Sequence, residues 1–217
     1  MNKKRSQENQ DRQARLAAVQ AQQRAGERKR NAAIFGGIGA VIVAVIVAVV
    51  LVIVSQVNEN RGRDEAAAQD IEGVQEYPDV TFEHVAGPVE YEQSPPVGGN
   101  HNSIWTNCGV YTEPVPNENS VHSMEHGAVW ITYDPEIGQD QIDTLTELVG
   151  TRSYVLLSPY PALDVPVAAS AWGLQLKVDS ADDPRLQTFL DKYVRGEQTR
   201  EPGAACSGGL TPPGLAS

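Results

Sequence analysis

A chain of 217 residues holds one ordinary domain plus appendages, and its net charge of −11 hides an uneven distribution. Residues 1–31 carry nine Lys/Arg against three Asp/Glu, residues 58–217 carry eight against twenty-five, and the stretch between has no charge at all. Basic sequence confined to one flank of an apolar run is explained by a membrane surface, which excludes nucleic acid as a required partner.

Residues 1–31 form a basic segment rich in Gln, Ala and Arg without a wide apolar stripe, so a core is not expected there. Ala32 to Val54 is continuously apolar. Twenty-three residues at ~1.5 Å rise exceed the ~30 Å hydrocarbon thickness of a bilayer, so residues 32–57 are expected to be a transmembrane helix. A secretory signal has a shorter apolar region and a small-residue cleavage site, whereas this run ends in Ile53-Val54-Ser55-Gln56-Val57. The crowding of Lys/Arg before it predicts a single-pass protein of the plasma membrane with a cytoplasmic N-terminus and an extracytoplasmic C-terminal domain. Arg28, Lys29 and Arg30 then lie against the anionic lipid headgroups of the bilayer.

Residues 58–76 read as a polar linker, and the folded domain is expected over 77–206, with a flexible Gly/Pro-rich tail over 207–217. Val80–Val85 is β-branched and aromatic between Pro78 and Gly87-Pro88, which predicts a first strand containing His84 as a structural histidine. Tyr91 to Ser120 is dense in Pro, Gly and Asn and forbids a long helix or central strand. A connection of that length is uncommon unless it is functional or pinned, and Trp105 and Cys108 are candidates for pinning it.

Ala128–Tyr133 is strand-like. From Pro135 to Gly150 the apolar positions Ile142, Leu145, Leu148 and Val149 share a helical face, with Asp134 as a cap and Pro135 in the first turn. Ser153–Ser158 predicts a buried strand, Val165–Val178 an extended segment that alternates at its end, and Asp182-Asp183-Pro184 a helix with Leu186, Phe189, Leu190 and Tyr193 on one face. The expected fold class is α+β: a small mixed sheet with a strand-helix-strand-strand-helix core and helices on one face, a long Pro/Gly-rich loop, and one preceding transmembrane helix. The first two strands should be parallel across a crossover helix and the third antiparallel.

The chain has two cysteines, Cys108 and Cys206, both in the part predicted to be exported. Outside the cell such a pair is usually a disulfide; a thiolate ligand or nucleophile is the alternative, though no CxxC spacing supports it.

The chemistry-bearing stretch is Val121-His122-Ser123-Met124-Glu125-His126-Gly127. It has the H-x-x-E-H form of a zinc-protease signature, in which helical histidines bind zinc and the Glu, here Glu125, is the general base. That chemistry needs a helix, and the strand-like run after Gly127 argues for a strand or turn instead. On a strand His122, Met124 and His126 share a side. Joined by His101 from the loop, they suit copper, because soft sulfur selects Cu(I); without the Met, three histidines or two plus Glu125 suit zinc. The histidines hydrogen-bonding the loop backbone is the structural alternative.

An ordered series of short motifs, taken together, resembles the actinobacterial-type family labelled domain of unknown function 3105. The series comprises Ser94-Pro95-Pro96-Val97-Gly98-Gly99-Asn100-His101, Trp105, Cys108-Gly109-Val110-Tyr111, Val121–Val129, Tyr133, Ser158-Pro159-Tyr160-Pro161, Ala171-Trp172-Gly173, Glu201-Pro202 and Cys206. It runs from about Tyr77 to Cys206. The resemblance implies a membrane-tethered or secreted domain, supports the cysteine pair and the three histidines as one constellation, and implies no activity. The expected function is transition-metal binding by an extracytoplasmic domain through His101, His122 and His126, with Met124 and Glu125 as lesser ligands. The rivals are a non-enzymatic accessory subunit of a cell-envelope membrane protein complex and a metal-dependent hydrolase; the sequence names no reaction.

Overall fold

The computed structural model describes residues 45–55 and 70–216, which fall in separate units, residues 1–59 and 60–217. In the first unit residues 45–55 form a helix, α1, with exposed side chains. The rest of the expected transmembrane segment and the basic stretch lie outside the described residues. Among the described residues no helix is long and apolar enough to cross a membrane.

The second unit is built on a six-stranded mixed sheet in the order β1-β6-β5-β3-β4-β2. Its centre is β3 (Val129–Tyr133), flanked by β4 (Val155–Pro159) in parallel and β5 (Val167–Ala171) antiparallel. The crossover between β3 and β4 is α3 (Gln139–Val149), as the spacing of Ile142, Leu145 and Val149 requires. β5 returns as β6 (Leu174–Val178) through the two-residue turn Trp172-Gly173. Two-residue strands close the edges, β1 (Gln75–Glu76) on β6 and β2 (Gly109–Val110) on β4. β3, β4 and β5 are buried at every position, so their sequences read as continuous apolar or small-residue runs and not as alternating ones.

Alternate residues of the central strands serve two cores. Val129, Ile131, Val155, Leu157, Val167 and Ala169 pack with α3 and with α4 (Pro184–Tyr193), whose Leu186, Phe189 and Leu190 are buried. Each such side chain withdrawn from water contributes about 1.5–3 kcal/mol. On the opposite face Trp130 and Leu156 pack with Tyr111, Val115, Val121, Met124 and Trp172 beneath the long loop and a further helix, α2 (Asn117–Glu125). The helices therefore lie on both faces, a correction to the one-face expectation.

Three local expectations are also corrected. Val80–Val85 is not a strand of the sheet. Its one bridge joins His84 to His101 in the loop, through Val85 N–H donating to His101 O at 2.8 Å and His101 N–H to Glu83 O at 3.0 Å, while Phe82 stays exposed. The segment pairs with the loop because Pro78 and Gly87-Pro88 detach it on both sides. α3 begins at Gln139, with Gly138 at its cap; Asp134 instead closes a turn by accepting from Glu136 N–H at 2.9 Å. The third correction is α2 itself, which occupies the stretch assigned to a strand or turn.

The long loop is pinned as its length demanded. Cys108 and Cys206 form a disulfide with Cα atoms 5.4 Å apart, and Cys108 N–H donates to Cys206 O at 2.8 Å. Past the disulfide the chain runs along residues 105–112, with Leu210 N–H donating to Trp105 O and Thr112 N–H to Gly214 O, both at 2.8 Å.

Candidate metal centre

α2 is short, and its Asn, Ser, His and Val residues have middling helix propensity. Tertiary contacts hold it instead. Ser120 Oγ donates to Pro116 O at 2.8 Å, Ser123 Oγ to Thr106 O at 2.7 Å, and the residues from Ser120 to Glu125 are buried. Its end is a Schellman motif. Gly127 N–H donates to Met124 O and Ala128 N–H to Ser123 O, both at 2.9 Å, with Gly127 at φ +99°. A Cβ there would come within 3.1 Å of the Arg195 backbone, so glycine is required on two grounds. The chain passes from helix to β3 within three residues.

This geometry brings together all four histidines of the chain. The His122 ring lies 4.9 Å from His101, 4.7 Å from His84 and 4.5 Å from His126, centroid to centroid. Three of them are turned by the same device. Nδ1 of His101 sits 2.8 Å from Gly99 O, Nδ1 of His122 2.7 Å from Asn102 O, and Nδ1 of His126 2.6 Å from Ala205 O. A carbonyl oxygen only accepts, so each Nδ1 carries a proton and the neutral ring keeps its lone pair on Nε2. Such backbone bonds are the usual means of orienting metal-binding imidazoles. Gly99 holds its carbonyl in place with φ +114°, and a Cβ on it would press within 3.2 Å of the Tyr91 ring.

The Nε2 atoms meet carboxylates. Glu125 Oε2 lies 2.9 Å from His101 Nε2 and 3.8 Å from His84 Nε2, while Glu201 Oε2 lies 3.3 Å from His126 Nε2. His101 is fully buried, yet its Nε2 has no hydrogen-bond partner: the Glu125 oxygen lies off the direction in which a ring proton points. A buried imidazole nitrogen and a carboxylate oxygen 2.9 Å apart with no hydrogen bond between them leave both groups unsatisfied, and a shared cation would satisfy both. Burial holds the His122 imidazole down to about 4, with the neighbouring histidines adding to it and the Asn102 carbonyl partly opposing it. His122 is therefore neutral and available as a ligand at ordinary pH.

The donors fall into two sets. The ligand atoms of His84, His101, His122 and Glu125 lie within 4.8 Å of one another, and so do those of His122, His126 and Glu201. Donors on a tetrahedral metal at ~2.0–2.1 Å stand about 3.3 Å apart, within reach of small side-chain movements. Trp105 packs on the His126 and His122 rings at 4.9 and 5.7 Å, and Trp172 meets the His101 ring edge at 5.8 Å. Arg200 lies over Phe82 and 3.8 Å from the outer Glu125 oxygen.

Of the residues expected from sequence, His101, His122, His126 and Glu125 converge. Met124 is fully buried in the apolar cluster with Trp130 and Leu156, where its thioether fills space against the sheet. His84 and Glu201 were missed: the first read as a structural residue of a strand that does not form, and the second stands out only through its place beside Pro202 in the family motifs.

Searches against curated proteins and against solved structures return no match. A family model described as a protein of unknown function, DUF3105, matches residues 84–208, more than half of the chain and the whole span from His84 to Glu201. The chain belongs to the DUF3105 family.

Proposed function

We propose that the domain binds one transition-metal ion, zinc or copper(II), through Nε2 of His84, His101 and His122 and a carboxylate oxygen of Glu125, and that a single membrane span displays it on the extracytoplasmic side. The observation that carries the metal reading is His101: buried, oriented by Gly99, with Nε2 2.9 Å from a carboxylate oxygen and no hydrogen bond between them. Three imidazoles and one oxygen form a borderline donor set, which suits zinc and copper(II) and removes the thioether argument for Cu(I). The display reading is supported by the apolar run at Ala32–Val54, the charge asymmetry around it, and a disulfide that persists in oxidising compartments.

Metal content decides it. The full-length chain, purified in mild detergent without chelator or histidine tag, is expected to hold near-stoichiometric zinc or copper by mass spectrometry, lost in His101→Ala/His122→Ala. A folded protein that stays metal-free after incubation with both ions would leave the histidines as scaffold, and the accessory-subunit reading would replace this one.

A second reading draws on one observation: the H-x-x-E-H stretch is helical from His122 to Glu125 with His126 at the helix C-cap, close to what a hydrolytic zinc site requires. There Glu125 is a base and not a ligand. Glu125→Gln separates the two, since it weakens metal retention if Glu125 is a ligand and spares it if Glu125 only handles a proton.

A further inference from the structure

His122 belongs to both donor sets, and this sharing has a chemical limit. Its Nδ1–H is committed to Asn102 O at 2.7 Å, which leaves Nε2 as its single donor atom. One lone pair serves one ion at a time. Each set has one exposed donor, a histidine in one and a carboxylate in the other: His84 is 45% exposed beside a Glu125 side chain that is 5% exposed, and Glu201 is 49% exposed beside a buried His126. Each set has one carboxylate, with the Arg200 guanidinium 3.8 Å from that of Glu125.

Resting on the metal-binding reading above, we infer that His122, His126 and Glu201 form an outer loading position for the same ion, which is handed to the inner His84/His101/Glu125 position while His122 stays bound. The handover is a ligand exchange. The His126 nitrogen and the Glu201 oxygen leave the metal, and the His101 and His84 nitrogens and a Glu125 oxygen replace them. Oxidation state does not change, and the Nδ1 protons of His101, His122 and His126 stay on their rings, donated to the carbonyls. The outer donors are well placed for this role. Glu201 N–H donates to Glu125 O at 3.1 Å, which ties the backbone of the exposed Glu201 to the end of α2. His126 is turned by the carbonyl of Ala205, next to the disulfide. Glu201 is the exposed carboxylate of the two, so a cation arriving from solvent finds its anionic ligand there and never has to be released as the buried donors close on it.

The test is zinc kinetics on the full-length chain. Stopped-flow loading from free Zn²⁺ and extraction by an excess of a fluorescent chelator are measured for wild type, Glu201→Gln and His126→Gln, with His84→Ala as the contrasting inner-set variant. A residue that serves only the route changes loading and release by the same factor and leaves the equilibrium constant alone. Glu201→Gln is therefore expected to slow both by roughly tenfold or more with Kd unchanged within about twofold, whereas His84→Ala weakens Kd. Glu201 is half exposed, so the Gln variant keeps the fold. His126→Gln is expected to follow it. Wild-type loading and release rates in Glu201→Gln would overturn the inference, because the ion then enters past His84. A Kd loss in Glu201→Gln matching that of His84→Ala would overturn it too, since Glu201 would be a resident ligand, as would two bound zinc ions per chain. If wild type takes up neither zinc nor copper(II), the metal reading itself fails and this inference falls with it.

Discussion

The two faces of the central sheet are built on different principles. Against α3 and α4 the covering is a conventional apolar stripe: Leu145, Val149, Leu186, Phe189 and Leu190 on Val129, Ile131 and Leu157. On the other face a short polar helix and an irregular loop hold themselves together by backbone bonds, side chain to carbonyl contacts and one disulfide. The first arrangement tolerates averaging, because burial is non-directional. The second fixes directions, since His101, His122 and His126 are each aimed by one carbonyl, and direction is what a metal site needs.

Opening the disulfide tests that division most severely. Replacing Cys108 and Cys206 together by Ser frees a loop of sequence separation 98 and is expected to destabilise the domain by about 4–5 kcal/mol in the chain-entropy model. It should also slow metal loading and release, because the Ala205 carbonyl that turns His126 sits beside Cys206. Urea unfolding and metal exchange kinetics are read together. A variant that loses stability but keeps wild-type metal affinity and exchange rates would show that the loop is oriented without its staple.

The opposite face should separate the two readouts. Phe189→Ala leaves a cavity beneath α4 and is expected to cost about 4 kcal/mol in the urea midpoint, with metal affinity of the folded protein unchanged. Affinity falling in step with stability would mean that the faces are coupled through β3.

Within the site, His101→Ala should weaken zinc by about 100-fold or more, roughly 3 kcal/mol, while His84→Ala costs less because that ring is 45% exposed and lacks the carbonyl restraint found on the other three. Competition titration against a chelator gives both values. Equal losses would show that orientation by Gly99 adds nothing.

The same contrast explains what could be read from sequence. β3, β4 and α4 are legible because they serve the apolar face, where burial writes itself as continuous runs or as a helical period, whereas the one extended segment expected over Val165–Val178 is two strands, β5 and β6, turned back at Trp172-Gly173. α2 was not, for two physical reasons. A helix buried from Ser120 to Glu125 has no polar face to set against an apolar one, and Gly127, which argued against a helix, is the residue that ends it. β1 and β2 are two residues long, too short to show any period. His84 reaches the cluster through a single bridge to His101, and Glu201 by a return of the chain 75 residues beyond His126; neither contact has a local signature.

The smallest expected effect also belongs to the apolar face. Asp183 caps α4, accepting from Arg185 N–H at 2.9 Å and gripping the Arg185 guanidinium at 2.7–3.2 Å. Those side-chain hydrogen bonds hold its carboxyl below the usual range. A carboxyl depressed by folding contributes stability in full above its unfolded value of about 3.9 and loses it as pH falls through the lower folded value. Asp183→Ala should therefore cost about 1 kcal/mol at neutral pH, and the difference from wild type should shrink below about pH 4. Asp183→Asn keeps a capping oxygen without the charge, so it should retain most of the stability and lose the pH dependence of this cap. Urea midpoints at neutral and acid pH check both, with metal occupancy as the control. If the Asp183→Ala deficit persists unchanged at acid pH, the cap works through its hydrogen bond alone and the ion pair with Arg185 is ornamental. If occupancy falls in the folded variant at neutral pH, α4 and the histidines are not independent, and the division between the two faces fails at its least perturbed point.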